Sequence, residues 1–239
     1  MVTPYAYLVH AILQIAASFL IYRELKQNPN KAMALLLRGF IIIAAGFLIA
    51  GLAMFISTNP AVWINAVLLA VLSFSIGIAY LMRTVYLVTG FPLLRALYRA
   101  NILVGVATFC YALLFTEYSA YLADLNVIVF SFDPLVRLGI LVSNSGALFF
   151  LALFFIPRVR YERGLTRTRA ALFIVAFMLF AINSGLVYGT ELPRVYLAAF
   201  IIGFLGSFTA FWSVLYRQMV AFLPFGIDEW LRPRRESTR

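Results

Sequence analysis

Seven long apolar segments, each about the length of a membrane-crossing helix, dominate this sequence of 239 residues. A bilayer core takes about 20 apolar residues per helix. The segments are continuously apolar rather than alternating, which favours helices over barrel strands, because helices satisfy their own backbone hydrogen bonds inside lipid. We therefore predict an all-α, polytopic membrane protein with spans at Tyr5–Tyr22, Arg38–Ser57, Pro60–Met82, Ala100–Thr116, Pro134–Ile156, Ala170–Thr190 and Arg194–Tyr216.

The spans form one transmembrane domain, residues 1–221, followed by a short amphipathic and basic tail, residues 222–239. With 64% hydrophobic and 12% charged residues, too little polar surface remains for a separate water-soluble domain. Asn59-Pro60, Asp133-Pro134 and Leu192-Pro193 place proline near the first turn of a helix, where its missing N–H costs nothing. No cleavable signal peptide is expected, because MVTPYAYLVH lacks a basic leading region.

Positive charge is divided unevenly between the two sides of the predicted bundle. Counted along alternating spans, 17 of the 19 Lys and Arg residues fall on one side, leaving Arg137 and Arg194 on the other. Basic loops stay in the cytoplasm. We therefore expect a multi-pass protein of the cell membrane, with its N-terminus outside and its C-terminus in the cytoplasm. The charge is spread over four segments, so anionic lipid headgroups explain it and no direct nucleic-acid binding is expected.

The residue inventory excludes several common membrane chemistries. His10 is the only histidine, and Lys26 and Lys31 fall in a predicted loop, which excludes a bis-histidine haem and a retinal Schiff base. No Asp or Glu falls inside a predicted span, which removes proton relays and the usual acids of intramembrane hydrolysis. Cys110 has no intrachain disulfide partner, and we expect it to pack between helices. We expect no metal, no cofactor and no enzyme activity.

Polar residues recur at membrane depth in three of the spans. His10, Gln14 and Ser18 are spaced to share one stripe of the first helix. Asn144 lies in a Ser-Asn-Ser-Gly stretch of the fifth span, and Asn183 lies in an Asn-Ser-Gly stretch of the sixth. At about 1.5 Å per residue, these stretches fall within roughly 5 Å of the depth of Gln14. We interpret these residues as a polar midplane cluster, which consists of His10, Gln14, Asn144 and Asn183. The cluster forms interhelical contacts, a ligand pocket or a conduction path.

Two further expectations concern packing. Arg137 lies on nearly the same face as Asn144, and we expect it to pair with Asp133 one turn earlier, with ligand binding as the alternative. Small residues let transmembrane helices approach closely. We expect such close packing at Gly46, Ala50, Gly51, Gly203 and Gly206.

The connections after three spans carry a family resemblance. A basic turn with Asn28-Pro29 follows the first span, Thr89-Gly90 follows the third, and LYRQMVAFLPFGIDEWL follows the seventh. In these features the sequence resembles the seven-helix N-terminal sensor region of many prokaryotic histidine kinases and diguanylate cyclases. The resemblance implies an N-out, C-in bundle whose exit helix drives a cytoplasmic output domain. No ATP-binding or phosphoacceptor segment follows here, so we expect a detached sensor or complex subunit that acts through a separate protein.

Two functions therefore remain open. The first is the non-enzymatic sensor or membrane-complex subunit. The second is a small permease or channel component, including the membrane part of a DNA- or protein-translocation system; a membrane-bound enzyme is the least favoured alternative. The expected partners are the lipid bilayer and a separate cytoplasmic or membrane protein, and a homo-oligomer stays open. We expect the tail to dock on that protein or on the membrane surface through Phe225, Ile227, Trp230, Leu231, Arg232, Arg234 and Arg235.

Overall fold

The computed structural model describes residues 1–219, in which seven helical segments are long and apolar enough to cross a membrane. This confirms the predicted all-α, polytopic membrane architecture. The predicted docking residues of the tail lie outside the described residues. The elements in chain order are α1 (Thr3–Gln27), α2 (Lys31–Ile56), α3 (Pro60–Thr89), α4 (Pro92–Phe115), β1 (Ser119–Ala123), a 3₁₀ turn (Asp124–Asn126), β2 (Val127–Ser131), α5 (Pro134–Ile140), a π-helical segment (Leu141–Gly146), α6 (Ala147–Tyr161), α7 (Gly164–Gly189) and α8 (Pro193–Met219).

The predicted helix starts at proline are confirmed. The Asn59 side chain accepts a hydrogen bond from the backbone N–H of Ala61 at 2.9 Å, directly at the start of α3. The Asp133 side chain accepts one from the backbone N–H of Leu135 at 2.8 Å, at the start of α5. Both side chains satisfy an N–H group that the first helical turn leaves without a partner. α8 begins at Pro193 as its sequence indicates.

All seven helical segments extend beyond the predicted spans at the end where the basic residues gather, and three of them illustrate it. α1 continues to Gln27, α3 continues to Thr89, and α4 begins at Pro92 instead of Ala100. Hydropathy marks the part of a helix that lies in hydrocarbon, whereas the backbone helix continues until a residue ends it. Gly90 ends α3 with a φ of 69°, which few other residues adopt without strain.

The seven segments form a closed ring, because each packs against its neighbour in sequence and α8 packs back against α1. Close approach between helices depends on glycine: a Cβ on Gly77 would lie 2.5 Å from the Ile43 side chain and 3.0 Å from the backbone oxygen of Gly39. Cys110 is exposed on the outside of α4, so the interpretation of this residue as packed between helices is wrong. Close packing is confirmed at the glycines among the predicted positions: Gly46, Gly51, Gly203 and Gly206.

A two-stranded antiparallel hairpin covers one end of the ring, and the sequence analysis did not predict it. β1 pairs with β2 in a register that places Ala123 opposite Val127. Three consecutive residues at the start of β2, Val127 to Val129, are fully buried, and Phe130 is nearly so. A short apolar run of this kind is typical of a buried strand, but it is too short to stand out beside transmembrane segments.

Hydrogen bonds from two helices hold this hairpin in place. The backbone N–H of Val2 donates to the Asn126 carbonyl at 2.8 Å, and the N–H of Ile128 donates to the Thr3 hydroxyl at 2.8 Å. The buried Tyr196 hydroxyl, on α8, lies 3.2 Å from the backbone nitrogen of Phe130 and 3.3 Å from its carbonyl oxygen. The hairpin therefore joins the first and last helices across what we call the hairpin end; the opposite end is the basic end.

The fifth span is a composite of α5, the π-helical segment and α6. The π-helical segment contains the buried residues Ser143 and Asn144, so it falls on the polar stretch singled out in the sequence. A π turn widens the helix locally, and such turns occur frequently at functional sites. Pro157 lies inside α6, towards the basic end.

Candidate functional site

A cavity of about 80 Å³, which we call the mid-membrane cavity, lies between the helices at the middle of the ring. A single water needs about 15 Å³ on a comparable measure, so the cavity accommodates several waters or one small molecule. All members of the predicted polar midplane cluster line it. The wall consists of Tyr7, His10, Gln14, Phe40, Ile43, Phe47, Phe74, Ile78, Leu81, Asn144, Leu148, Phe177, Phe180, Asn183, Ser184, Val187, Tyr188, Phe200 and Ala210.

His10 lies on α1 and contacts α8, the helix that closes the ring. Its Nδ1 lies 2.9 Å from the Ser207 hydroxyl, and both residues are buried. The imidazole also lies against Phe47, with 5.0 Å between ring centroids. These contacts fix the imidazole in the wall, so His10 acts first as an interhelical contact.

Asn144 is held by a hydrogen-bond network that crosses three spans. The Ser75 hydroxyl on α3 lies 3.1 Å from Asn144 Oδ1 and 3.1 Å from the Ser143 hydroxyl. On the far side, Asn101 Nδ2 of α4 donates to the Ser75 backbone carbonyl at 2.8 Å. Only the oxygen of the Asn144 amide is therefore used by this network.

Four buried polar atoms around the cavity have no hydrogen-bond partner within the described part of the chain: Asn144 Nδ2, Ser145 Oγ, Asn183 Oδ1 and Ser184 Oγ. Asn144, Asn183 and Ser184 line the cavity directly. Each unsatisfied buried polar group costs about 1–3 kcal/mol. Gln14, which is 2% exposed, adds an amide to the same wall from α1. The site thus presents donors and acceptors from three spans to one small space.

The lining residues are uncharged. Among the described residues no Asp, Glu, Lys or Arg contributes to the cavity wall, which is largely aromatic. Tyr7 and Tyr188 line the cavity toward the hairpin end, and Tyr188 packs against Phe132, just beyond β2. These tyrosines and the neighbouring hairpin therefore form the wall on that side of the cavity. Burying an ion in such an apolar space without a countercharge is costly, whereas a neutral hydrogen-bonding group fits it.

Sequence reasoning missed three residues that organise this site: Ser75, Asn101 and Ser207. Asn101 fell at the edge of the predicted fourth span, but α4 begins at Pro92, so Asn101 lies well inside the bundle and is buried. Single serines in apolar helices carry no pattern of their own. The one signal for Ser75 is its position two residues before Gly77 in a helix otherwise rich in large apolar residues.

The predicted Arg137–Asp133 pair is wrong. Arg137 forms a salt bridge with Glu191, and its Nε donates to the Phe132 carbonyl at 2.8 Å. Asp133 instead caps α5, so its side-chain oxygen is already used. Ser131 donates to the same Glu191 carboxylate at 2.8 Å, which places Arg137 in the attachment of the hairpin and not in the cavity wall.

A second cavity, of about 340 Å³, lies at the basic end between α2, α3, α6 and α7. Leu81 and Phe177 line both cavities and so form the boundary between them. No protein-family model matches this sequence, and no curated protein matches it either. Its function therefore has to be inferred from these two cavities and the residues around them.

Proposed function

We propose that this chain is a non-enzymatic seven-helix sensor that binds a small, uncharged, hydrogen-bonding molecule in the mid-membrane cavity. The observation that carries the proposal is the set of unpartnered polar atoms on Asn144, Asn183 and Ser184. Polar groups in lipid-embedded helices are normally satisfied by neighbouring helices, because nothing in hydrocarbon replaces water. The unpartnered polar groups that face the cavity are therefore the ones to which a ligand would form hydrogen bonds.

The cavity is built to couple ligand binding to helix position. Asn144 belongs to the fifth span and Asn183 to α7, so a ligand that bonds both amides links two spans. Asn183 also packs closely on α8, since a Cβ at Gly203 would lie 2.9 Å from its side chain. A ligand favours one packing arrangement of these helices over another only if it binds the first arrangement more tightly. The π turn supplies a segment of the fifth span that can change its winding.

The direction of signalling follows the charge distribution. We propose that the hairpin end faces outside and that the basic end, which holds 13 of the 15 Lys and Arg residues in the described part of the chain, faces the cytoplasm. The resemblance to kinase and cyclase sensor regions then implies that a separate protein receives the signal at the basic end. Helix movement at the cavity reaches that end through α7 and α8, which both line the cavity.

The test uses matched neutral and charged probes on the purified full-length chain in detergent. Acetamide and urea should raise the thermal midpoint saturably, because they offer donors and acceptors to the open amides, whereas acetate should not. Asn183→Leu should abolish the acetamide shift. Equal shifts from acetamide and acetate, or a shift that survives Asn183→Leu, would contradict binding in this cavity.

A small permease is the second candidate, and the shared boundary of the two cavities favours it. Widening that boundary with Leu81→Ala should speed urea entry into liposomes that contain the protein if the cavities form a path. Leu87→Ala is the matched control, because Leu87 lies on the same helix and is exposed on the outside of the ring. Unchanged urea flux in both variants would leave the sensor as the better account.

A further inference from the structure

The geometry of the second cavity points to a lipid site: we propose that it binds a two-chain phospholipid with an anionic headgroup. This site is distinct from the mid-membrane cavity and does not depend on the function proposed for it. The volume is about 340 Å³, larger than that of the mid-membrane cavity. Its position at the basic end places it at the depth where lipid headgroups meet acyl chains.

The wall of the cavity has two chemically different parts. Its polar side holds Arg158 near the end of α6, Asn30 directly before the start of α2, and Arg169 near the start of α7. The deeper wall is apolar, and it ends at the boundary residues Leu81 and Phe177. The apolar part is lined by Met33, Leu36, Val85, Phe154, Phe155 and Phe173. A polar, positive rim above an apolar slot matches a phosphate headgroup joined to an acyl chain.

The cavity also continues sideways to the outside of the ring. A neighbouring hollow of about 620 Å³ is lined by Phe91, Leu153, Pro157, Tyr161 and Glu162, and it shares three further residues with the cavity. The shared residues are Thr89, Phe154 and Arg158. A molecule with two chains can therefore place one chain inside the ring and the other outside, on either side of Phe154, with its headgroup beside Arg158.

The charges at the rim favour an anionic headgroup. Arg169 uses its Nε to donate to the Ser213 carbonyl at 3.2 Å, and no carboxylate pairs with it in the described residues. Arg158 pairs with Glu162 at 3.2 Å, but both side chains are partly exposed and such a pair is weak in water. A phosphate group has several oxygens, so it can accept hydrogen bonds from more than one guanidinium group.

A free phosphate ion explains less of this geometry than a lipid does. An ion would occupy the rim and leave the apolar slot and the lateral opening without a function. A phospholipid fills the rim, the slot and the side opening together, and it is present at high local concentration in the surrounding bilayer.

The experiment measures the thermal midpoint of the purified full-length protein in a neutral detergent, titrated with lipids of matched chains. Dioleoyl phosphatidylglycerol should raise the midpoint saturably at low mole fraction, and dioleoyl phosphatidylcholine should not. Arg169→Gln should weaken the apparent affinity about five-fold, as expected for one arginine beside an anionic lipid. Arg169→Lys should retain most of the affinity, which keeps the test valid if the Gln variant folds poorly.

The matched control is Arg160→Gln, which removes the same charge from an exposed residue of α6 that does not line the cavity. Equal losses for Arg160→Gln and Arg169→Gln would overturn the proposal, because they would indicate diffuse surface attraction. A full shift from inorganic phosphate alone, or an equal shift from phosphatidylcholine, would overturn it as well. The phosphatidylglycerol shift should persist in Asn183→Leu, so failure of one proposal is distinguishable from failure of the other.

Discussion

Asn101 and Asn183 use their side-chain amides differently: that of Asn101 joins two helices, and that of Asn183 faces the cavity. Replacing each with leucine tests this distinction. Asn101 Nδ2 donates to the Ser75 carbonyl at 2.8 Å, whereas Asn183 Oδ1 has no partner in the described part of the chain. Leucine branches at the same carbon as asparagine, so both replacements keep the side-chain shape approximately constant. The two variants therefore differ mainly in what happens to hydrogen bonds.

The two replacements are expected to change the free energy of unfolding differently. Asn101→Leu loses one interhelical hydrogen bond, and such bonds in membrane proteins contribute about 0.6 kcal/mol on average and up to about 1.7 kcal/mol. We expect a loss of about 1 kcal/mol in the free energy of unfolding. Asn183→Leu loses no bond and removes an unsatisfied oxygen that costs about 1–3 kcal/mol, so it should be neutral or stabilising by about 1 kcal/mol.

The assay is equilibrium unfolding in mixed micelles, with the denaturing detergent fraction as the variable and no added ligand. The two variants should differ by about 1–2 kcal/mol, which is roughly a five- to thirty-fold difference in the unfolding equilibrium constant. If Asn183→Leu is as destabilised as Asn101→Leu, the Asn183 amide bonds across helices in the resting protein. The cavity would then have no open amide on α7, and the proposed ligand site would lose its main support.

Three further outcomes are expected. Tyr196→Phe should lower the free energy of unfolding by about 1–3 kcal/mol, because the buried N–H of Phe130 loses its hydroxyl partner; a change below 0.5 kcal/mol in thermal or detergent unfolding would contradict this. Gly77→Leu should prevent folding, measured as loss of the monodisperse peak in size-exclusion chromatography, whereas Gly189→Leu should be tolerated because nothing lies within 4 Å of its added Cβ. In a cysteine-free background, Asp124→Cys in the exposed hairpin turn should react with an impermeant maleimide on whole cells; protection there would reverse the proposed orientation.

The membrane architecture follows from the sequence because its causes are local. An apolar run of sufficient length must form a helix in lipid, and a proline after Asn59 or Asp133 marks where a helix starts. The order of the ring follows from short connections between antiparallel neighbours. The hairpin depends on a different cause: Phe130 and its neighbours are buried because α1 and α8 supply Thr3 and Tyr196 as partners, and those contacts are distant in sequence.

The sequence predicts only part of the candidate site. The polar residues that stand out in apolar spans, among them Asn144 and Asn183, do line one cavity. The partner that uses the oxygen of Asn144 is Ser75, which looks unremarkable in sequence because a lone serine on a helix commonly bonds its own backbone. Arg137 was assigned to Asp133 by spacing alone, but the chain fold brings Glu191 to it instead.

Some polar atoms of this bundle join helices, whereas others are open toward the cavity, and one side chain can contain both kinds. His10 with Ser207 and Asn101 with the Ser75 carbonyl are satisfied pairs that connect helices. Asn144 belongs to both groups, since its oxygen joins α3 while its nitrogen is unpartnered at the cavity. A fold that needed only helix contacts would have no reason to keep that nitrogen open, because a smaller or apolar residue packs there at lower cost. An amide anchored by one atom and open at the other is already oriented for a ligand, so binding pays little to order it.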